Sequence, residues 1–269
     1  TGQKTWIITS KEDRWILRDA LGNEKASLGS PSSLGIIRNS TLWNFSADGR
    51  RLAILNAHGT ISVWRLDLPQ VLQEPTLLGP LQVPDSLAFS PNSRFLAAAD
   101  ALGRLAVWDL DTQTLLWSHG AHTEAIMALA FSPDGQQLAS ASRDSNIILW
   151  DRSSGRRLHT LSKHTGWVWT LAFSPDGLQL LSSGKDNALM LWSSATGERL
   201  RTIPTTQPIR AAQFDHKGAY LILAEGSRIQ QISLSANIWN QPPEQVLSQT
   251  EMETGLLFRD FEMRLAVDA

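Results

Sequence analysis

The stretch Phe131-Ser-Pro-Asp-Gly-Gln-Gln-Leu-Ala-Ser-Ala-Ser-Arg-Asp-Ser-Asn-Ile-Ile-Leu-Trp150-Asp151 places a phenylalanine nineteen residues before a tryptophan. The same spacing recurs at Phe45–Trp64, Phe89–Trp108 and Phe173–Trp192, and Phe214–Ser233 keeps the frame without the tryptophan. The steps from one phenylalanine to the next are 44, 42, 42 and 41 residues. A fixed period of this length indicates one supersecondary unit copied along the chain, with each copy burying its apolar faces against its neighbours.

Each copy is predicted to form four short strands. In the copy around Phe173, residues typical of turns (Pro, Gly, Asp and Asn) interrupt the apolar and β-branched segments. The strands between these turns are predicted at 167–173, 178–183, 188–192 and 200–203. Strands of this length, joined by such turns, favour an all-β antiparallel meander over a helical repeat.

Composition excludes several classes of protein and site. The chain has 269 residues, 42% of them apolar, and the repeat favours a single domain. A net charge of −2 argues against nucleic acid as a partner, and the absence of cysteine excludes disulfides and thiolate chemistry. No apolar run of membrane-spanning length and no signal-peptide pattern is present, so no membrane association and a cytoplasmic location are expected.

Residues 131–151 resemble the WD repeat, in its bacterial form, and the resemblance covers nearly the whole chain. It implies a β-propeller of four-stranded antiparallel blades. It also implies a buried tetrad in which a His before the first strand, a Ser in the second, an Asp in the next turn and the Trp of the third strand are hydrogen-bonded. Two complete tetrads are implied: His122, Ser140, Asp144 and Trp150, and His164, Ser182, Asp186 and Trp192.

Other copies depart from this pattern. The Asp position holds His58 in one copy, Leu102 in the next and Ser227 in the last, which also has Ser233 in place of the Trp. These blades are therefore expected to rest on packing alone.

Six blades are predicted within a single domain of residues 1–269, and the last blade is shared between the two termini. The expected blade ranges are 1–28 together with 254–269, then 39–79, 83–118, 125–162, 167–204 and 208–249. Two segments fit the position of the second strand in the shared blade, residues 5–9 and residues 264–267. This duplication leaves an alternative open. In that alternative, the chain is part of a seven-bladed propeller or of a larger protein with several propellers.

No catalytic site is expected. The sequence contains no phosphate-binding glycine loop, no nucleophile elbow and no His-Glu-x-x-His motif, so we expect neither an enzyme nor a cofactor or metal site. The pair His119 and His122 has no apparent third ligand, and His122 already belongs to a tetrad.

The resemblance implies a binding surface on the entry face, where the chain enters the first strands and turns between the second and third strands. Basic, aromatic and sulfur-containing residues fall at these positions: Lys11, Met127, Arg143, Trp167, Trp169, Lys185 and Arg210. Trp and Arg are enriched at interface hot spots. Trp169 shares its strand parity with Leu171 and Phe173, so core packing and exposure are equally expected for it.

These residues favour a non-catalytic scaffold that binds a partner protein or an acidic peptide, and that can be a subunit of a multiprotein complex. A second hypothesis is a sensor or regulatory module of a larger signalling ATPase or kinase, since the resemblance to bacterial WD-repeat proteins implies such fusions. Nucleic-acid binding through the basic residues is the weakest of the three.

Overall fold

The computed structural model describes residues 6–11, 14–19, 21–29, 43–55, 60–66, 76–81, 84–225 and 228–234. All regular secondary structure in these residues is β, in six antiparallel sheets numbered here in chain order. Each sheet is a meander in which strands that follow one another in sequence are hydrogen-bonded neighbours. The predicted all-β class of antiparallel blades is therefore confirmed.

The strand boundaries follow the repeat. Sheet 1 contains β1 (Trp6–Lys11), β2 (Arg14–Asp19) and β3 (Glu24–Gly29). Sheet 2 contains β4 (Trp43–Phe45), β5 (Arg51–Leu55), β6 (Thr60–Arg65) and β7 (Thr76–Pro80). Sheet 3 contains β8 (Pro84–Phe89), β9 (Phe95–Asp100), β10 (Arg104–Asp109) and β11 (Thr114–Gly120). Sheet 4 contains β12 (Ile126–Phe131), β13 (Gln137–Ser142), β14 (Ile147–Asp151) and β15 (Arg157–Leu161).

The last two sheets continue the series. Sheet 5 contains β16 (Val168–Phe173), β17 (Gln179–Gly184), β18 (Ala188–Ser193) and β19 (Arg199–Pro204). Sheet 6 contains β20 (Ala211–Phe214), β21 (Tyr220–Glu225) and β22 (Arg228–Ser233). Residues 254–269, which were predicted to complete the shared blade, lie outside the described residues, so the sharing and the blade count stay predictions.

The turn between the first and second strands shows why the Ser-Pro-Asp-Gly sequence recurs. In sheet 4, the Ser132 hydroxyl donates to Asp134 Oδ1 over 2.5 Å and accepts the Gln137 amide over 2.9 Å. Gly135 follows with a φ of 69°, in the left-handed region that glycine enters at little cost. The short polar sequence thus closes the turn through local hydrogen bonds, without help from a tertiary contact.

Sheets 2 to 6 pack face to face in chain order. The first strands β4, β8, β12, β16 and β20 lie side by side, which places the fourth strands β7, β11, β15 and β19 on the outer rim. A buried apolar layer fills each of the four interfaces from sheet 2 to sheet 6, and between sheets 3 and 4 it includes Val107, Ile126 and Leu138. Both faces of each inner sheet are buried, which explains strands with little polar alternation.

Candidate partner-binding site

The first tetrad is fully connected. His122 precedes β12, Ser140 lies within β13, Asp144 follows it in the turn, and Trp150 lies on β14. The Trp150 Nε1–H donates to Ser140 Oγ over 2.9 Å, and Ser140 Oγ lies 2.8 Å from His122 Nε2. His122 Nδ1 lies 2.9 Å from Asp144 Oδ2. The structure therefore brings together all four side chains named from the sequence.

The second tetrad repeats this geometry one sheet further. Trp192 Nε1–H donates to Ser182 Oγ over 2.8 Å, Ser182 Oγ lies 2.8 Å from His164 Nε2, and His164 Nδ1 lies 2.8 Å from Asp186 Oδ2. A carboxylate only accepts hydrogen bonds, so Nδ1 carries the proton and Nε2 accepts the serine hydroxyl. Each polar atom in this series of hydrogen bonds, from the tryptophan to the carboxylate, thus has a matching partner.

Burial sets the charge state of both histidines. Burial lowers the pKa of His122 and of His164 from the ordinary value of 6.5, although the neighbouring carboxylates act in the opposite direction. Burial alone would raise the pKa of Asp144, but hydrogen bonds from the Asn146 amide and from His122 outweigh it and lower that pKa. The first tetrad at neutral pH therefore holds a neutral imidazole against an ionised carboxylate.

We expect the stability of the fold to fall on acidification below about pH 6.5. The unfolded chain binds protons at His122 and His164 near 6.5, whereas the folded chain does so only at lower pH. Above pH 6.5 the histidines therefore do not lower the free energy of unfolding. Below pH 6.5 this free energy decreases by at most about 1.4 kcal/mol per pH unit for each histidine, until the pH reaches the pKa of the folded chain. Urea unfolding at several pH values measures this slope. A doubly substituted His122→Asn, His164→Asn chain should show a flatter profile, and an unchanged slope would contradict this origin.

Sheet 3 lacks the tetrad aspartate but has its own polar turn. Asp100 is fully buried, and its Oδ1 accepts the amides of Leu102 and Arg104 over 3.0 and 2.9 Å. Its Oδ2 accepts the Arg104 Nε–H over 2.8 Å. The expectation that this blade rests on packing alone is therefore wrong, because the Asp100 carboxylate accepts the Arg104 amide as Asp144 accepts the Asn146 amide in sheet 4. His58 and Ser227 lie outside the described residues.

Gly103 joins this turn to the first tetrad. Its carbonyl accepts the amides of Ala121 and His122 over 2.8 and 3.0 Å. A Cβ built on Gly103 would lie 2.2 Å from the His122 carbonyl oxygen. The loop that carries His122 thus rests directly on the backbone of the preceding sheet, and only glycine permits this approach.

Most of the predicted binding residues meet on the entry face. Trp167 is 40% exposed, and the Arg143 guanidinium lies 4.7 Å and the Lys185 ammonium 4.8 Å from the centroid of its ring. Arg143 Nε–H also points to Met127 Sδ at 3.3 Å. Two cations supplied by the turns of neighbouring sheets thus converge on one exposed tryptophan, at distances typical of cation–π interactions.

Trp169 and Arg210 extend this group towards sheet 6. The Arg210 guanidinium lies 4.9 Å from the centroid of the Trp169 ring, and the Trp169 Nε1–H donates to the Ile209 carbonyl over 2.6 Å. Trp169 is partly buried, so it both packs between sheets and borders the surface. We define the basic–aromatic cluster as these two residues with the four of the preceding paragraph: Met127, Arg143, Trp167, Trp169, Lys185 and Arg210.

A cavity of about 400 Å³ opens beside the basic–aromatic cluster. Its lining is mainly apolar and comes from β12, β16, β20, β21 and β22, with Trp169 and Arg210 among the lining residues. Sequence reasoning missed this cavity because its walls come from small and aliphatic residues far apart along the chain.

Lys11 ends β1, and its side chain lies outside the described residues, so its membership of the cluster stays a prediction.

The described part of the chain contains neither a metal-binding group of side chains nor a helix that could cross a membrane. No group of three or more His, Asp or Glu side chains in those residues is arranged to hold a metal ion. Nor do the described residues form a helix long and apolar enough to cross a membrane.

Comparison with protein families matches three parts of the chain to the WD domain, G-beta repeat, at residues 79–109, 113–151 and 155–193. Comparison with curated proteins gives no match. The second and third spans each run from the fourth strand of one sheet to the third strand of the next, so the repeat in sequence links two blades. WD40 repeat domains are typically non-catalytic and generally mediate protein–protein interactions. The WD-repeat resemblance drawn from the sequence is thereby confirmed, and these three spans carry WD repeats, whereas the bacterial form of the repeat stays a prediction.

Proposed function

We propose that the chain is a non-catalytic scaffold that binds an acidic segment of a partner protein through the basic–aromatic cluster. The observation that carries this proposal is the exposed Trp167 ring between Arg143 and Lys185. A tryptophan held by two cations is rigid, so little side-chain entropy is lost when a partner covers it. Such an anchor is typical of interface hot spots.

The charges at this surface favour an acidic partner. Among the described residues, no carboxylate forms an ion pair with Arg143, Lys185 or Arg210. The two nearest carboxylates in sequence, Asp144 and Asp186, are held by the tetrad histidines. Three cations therefore remain for charge-assisted hydrogen bonds to a partner, and these bonds are stronger than neutral ones.

We expect a glutamate-rich peptide to bind this face and to change the tryptophan fluorescence of the chain. The substitution Arg143→Glu should weaken this binding by roughly tenfold or more, because it removes one cation and places a like charge beside the ligand. Trp167→Ala should have a similar effect through the loss of the anchor. Titration at low and high salt measures both effects.

The matched control is Arg156→Glu, which makes the same charge change at an exposed residue in the turn between β14 and β15. This turn lies at the opposite end of the sheet from Arg143. Equal affinity of the wild-type, Arg143→Glu and Trp167→Ala chains would refute the proposed site. An equal loss in Arg156→Glu would show that only net charge matters.

A further inference from the structure

The fourth strand of sheet 3, β11, differs from the other outer strands. It lies at the edge of its sheet, and six of its seven residues are exposed, all except Trp117. Its sequence Thr-Leu-Leu-Trp-Ser-His-Gly contains no Lys, Arg, Asp, Glu or Pro. Each of the other last strands contains at least one: Glu24 and Lys25 in β3, Pro80 in β7, Arg157 in β15, and Arg199, Arg201 and Pro204 in β19. Charge and proline on an edge strand prevent pairing with foreign strands, and β11 lacks both.

Because the sheets repeat, residues of β11 have equivalents in β15 and β19. A β-bulge between the third-strand tryptophan and the residue before it recurs in sheets 3, 4 and 5, and it pairs Trp108 with Leu115, Trp150 with Arg157 and Trp192 with Arg199. Leu115 is 53% exposed at the place where the two following blades carry arginine. Leu116, the next residue, is also exposed. Two successive leucines, 53% and 37% exposed, therefore leave apolar surface uncovered at this edge of the folded monomer.

The edge is also held rigidly. Trp117 Nε1–H donates to the Arg152 carbonyl of the next sheet over 2.8 Å, and its ring stacks on His119 with centroids 5.3 Å apart. The same ring packs against Gly155, where an added Cβ would lie 2.7 Å from it. The strand thus presents a fixed row of backbone groups, which lowers the entropic cost of pairing.

We propose that β11 is a self-association edge, through which two copies of the chain pair their β11 strands antiparallel about a two-fold axis. Antiparallel strands of identical sequence present matching donors and acceptors, and two-fold dimers are the commonest closed assembly. Self-pairing places residues of one strand opposite or diagonal to residues of the same strand in the other copy. Arginines in β19 would then approach arginines, which destabilises pairing, whereas β11 contains no lysine, arginine, aspartate or glutamate. The contact is small, so the dimer is weak and depends on concentration.

Sedimentation equilibrium of the 269-residue chain over a range of concentrations tests the proposal. We expect a monomer–dimer equilibrium for the wild-type chain and an association constant lower by about tenfold or more for Leu115→Arg. This variant should fold, because the next two blades carry arginine at the same place. The matched control is Leu200→Arg on β19, a residue also 53% exposed, and it should associate like the wild type.

A second measurement locates the contact without an apolar-to-charged substitution. The chain contains no cysteine, so Ser118→Cys provides a single reporter on β11. Thr202→Cys provides the equivalent reporter on β19, because Ser118 pairs with Ala106 as Thr202 pairs with Met190. A bifunctional maleimide should crosslink the first variant into dimers and leave the second largely monomeric. A wild-type chain that is monomeric throughout, or a dimer that persists in Leu115→Arg, overturns the proposal.

Discussion

Substitution of Gly103 by alanine is expected to lower the free energy of unfolding by about 2 to 5 kcal/mol. The added Cβ would lie 2.2 Å from the His122 carbonyl oxygen and 2.9 Å from the Glu124 carbonyl oxygen, and both atoms belong to backbone. Neither can turn aside as a flexible side chain would. The backbone of sheet 3 must therefore move away from the loop that carries His122. This movement weakens the two hydrogen bonds that backbone amides of the loop donate to the Gly103 carbonyl.

The neighbouring blades show that contact, rather than dihedral angle, makes this position a glycine. Gly103 has a φ of 76°, and the equivalent residues Ser145 and Asn187 adopt φ values of 69° and 56° with side chains present. Positive φ alone is thus tolerated at this place in the turn. What distinguishes Gly103 is the distance to the backbone of the next sheet.

The control for this prediction is Gly135→Ala. Gly135 has a φ of 69°, but an added Cβ there would meet only Pro91 Cδ at 3.8 Å, an ordinary contact. We expect a loss of about 1 to 2 kcal/mol from conformational strain alone. Urea denaturation monitored by circular dichroism compares the two variants, and equal losses would show that the approach to His122 contributes nothing.

Local signals made much of this structure predictable. The turn residues Pro, Gly and Asp fix where strands end, so the strands predicted around Phe173 differ from β16 to β19 by one residue at most ends. The tetrads were predictable because four residue types recur at fixed places in the repeat. The group around Trp167 followed from the same frame, since side chains at equivalent turn positions of neighbouring blades face one surface.

Long-range contacts explain what the sequence did not predict. Asp100 closes the turn of sheet 3 from a position that holds Ser142 in the next blade, so no motif identifies it. Strand parity left Trp169 undecided between core and surface. Its Nε1–H bond to the Ile209 carbonyl joins residues forty positions apart, and only the packing of two sheets brings them together.

The exposure of two leucines at the outer edge of sheet 3 was equally impossible to predict from the sequence. The bulge that places Leu115 opposite Trp108 shifts the register by one residue, and simple alternation along β11 does not reveal it. The exposed leucines become informative only when aligned with Arg157 and Arg199 through the observed pairing.

Substitution of Ser182 by alanine is expected to lower the free energy of unfolding by about 2 to 5 kcal/mol, because it leaves two buried polar atoms without a partner. The Ser182 hydroxyl accepts from Trp192 Nε1–H and donates to His164 Nε2. Ser182 and Trp192 are at most 1% exposed, so water does not replace the lost hydroxyl in the unperturbed core. Each unsatisfied atom costs about 1 to 3 kcal/mol.

Sheet 2 shows the same loss in the native chain. Ile54 occupies the tetrad serine position there, and the Trp64 Nε1–H is buried without a hydrogen-bond partner among the described residues. In that sheet the larger apolar side chain of Ile54 is buried at the serine position. In Ser182→Ala nothing fills the space, so the penalty is not offset by packing.

The exposed Ser162 provides the control, since Ser162→Ala removes a hydroxyl from the loop before His164 without opening the core. We expect this variant to unfold within about 0.5 kcal/mol of the wild type. Ser140→Ala should reproduce the loss seen for Ser182→Ala, because its hydroxyl makes the equivalent bonds to His122 and Trp150. If both tetrad variants unfold like Ser162→Ala, the tetrads are consequences of close packing and not a source of stability.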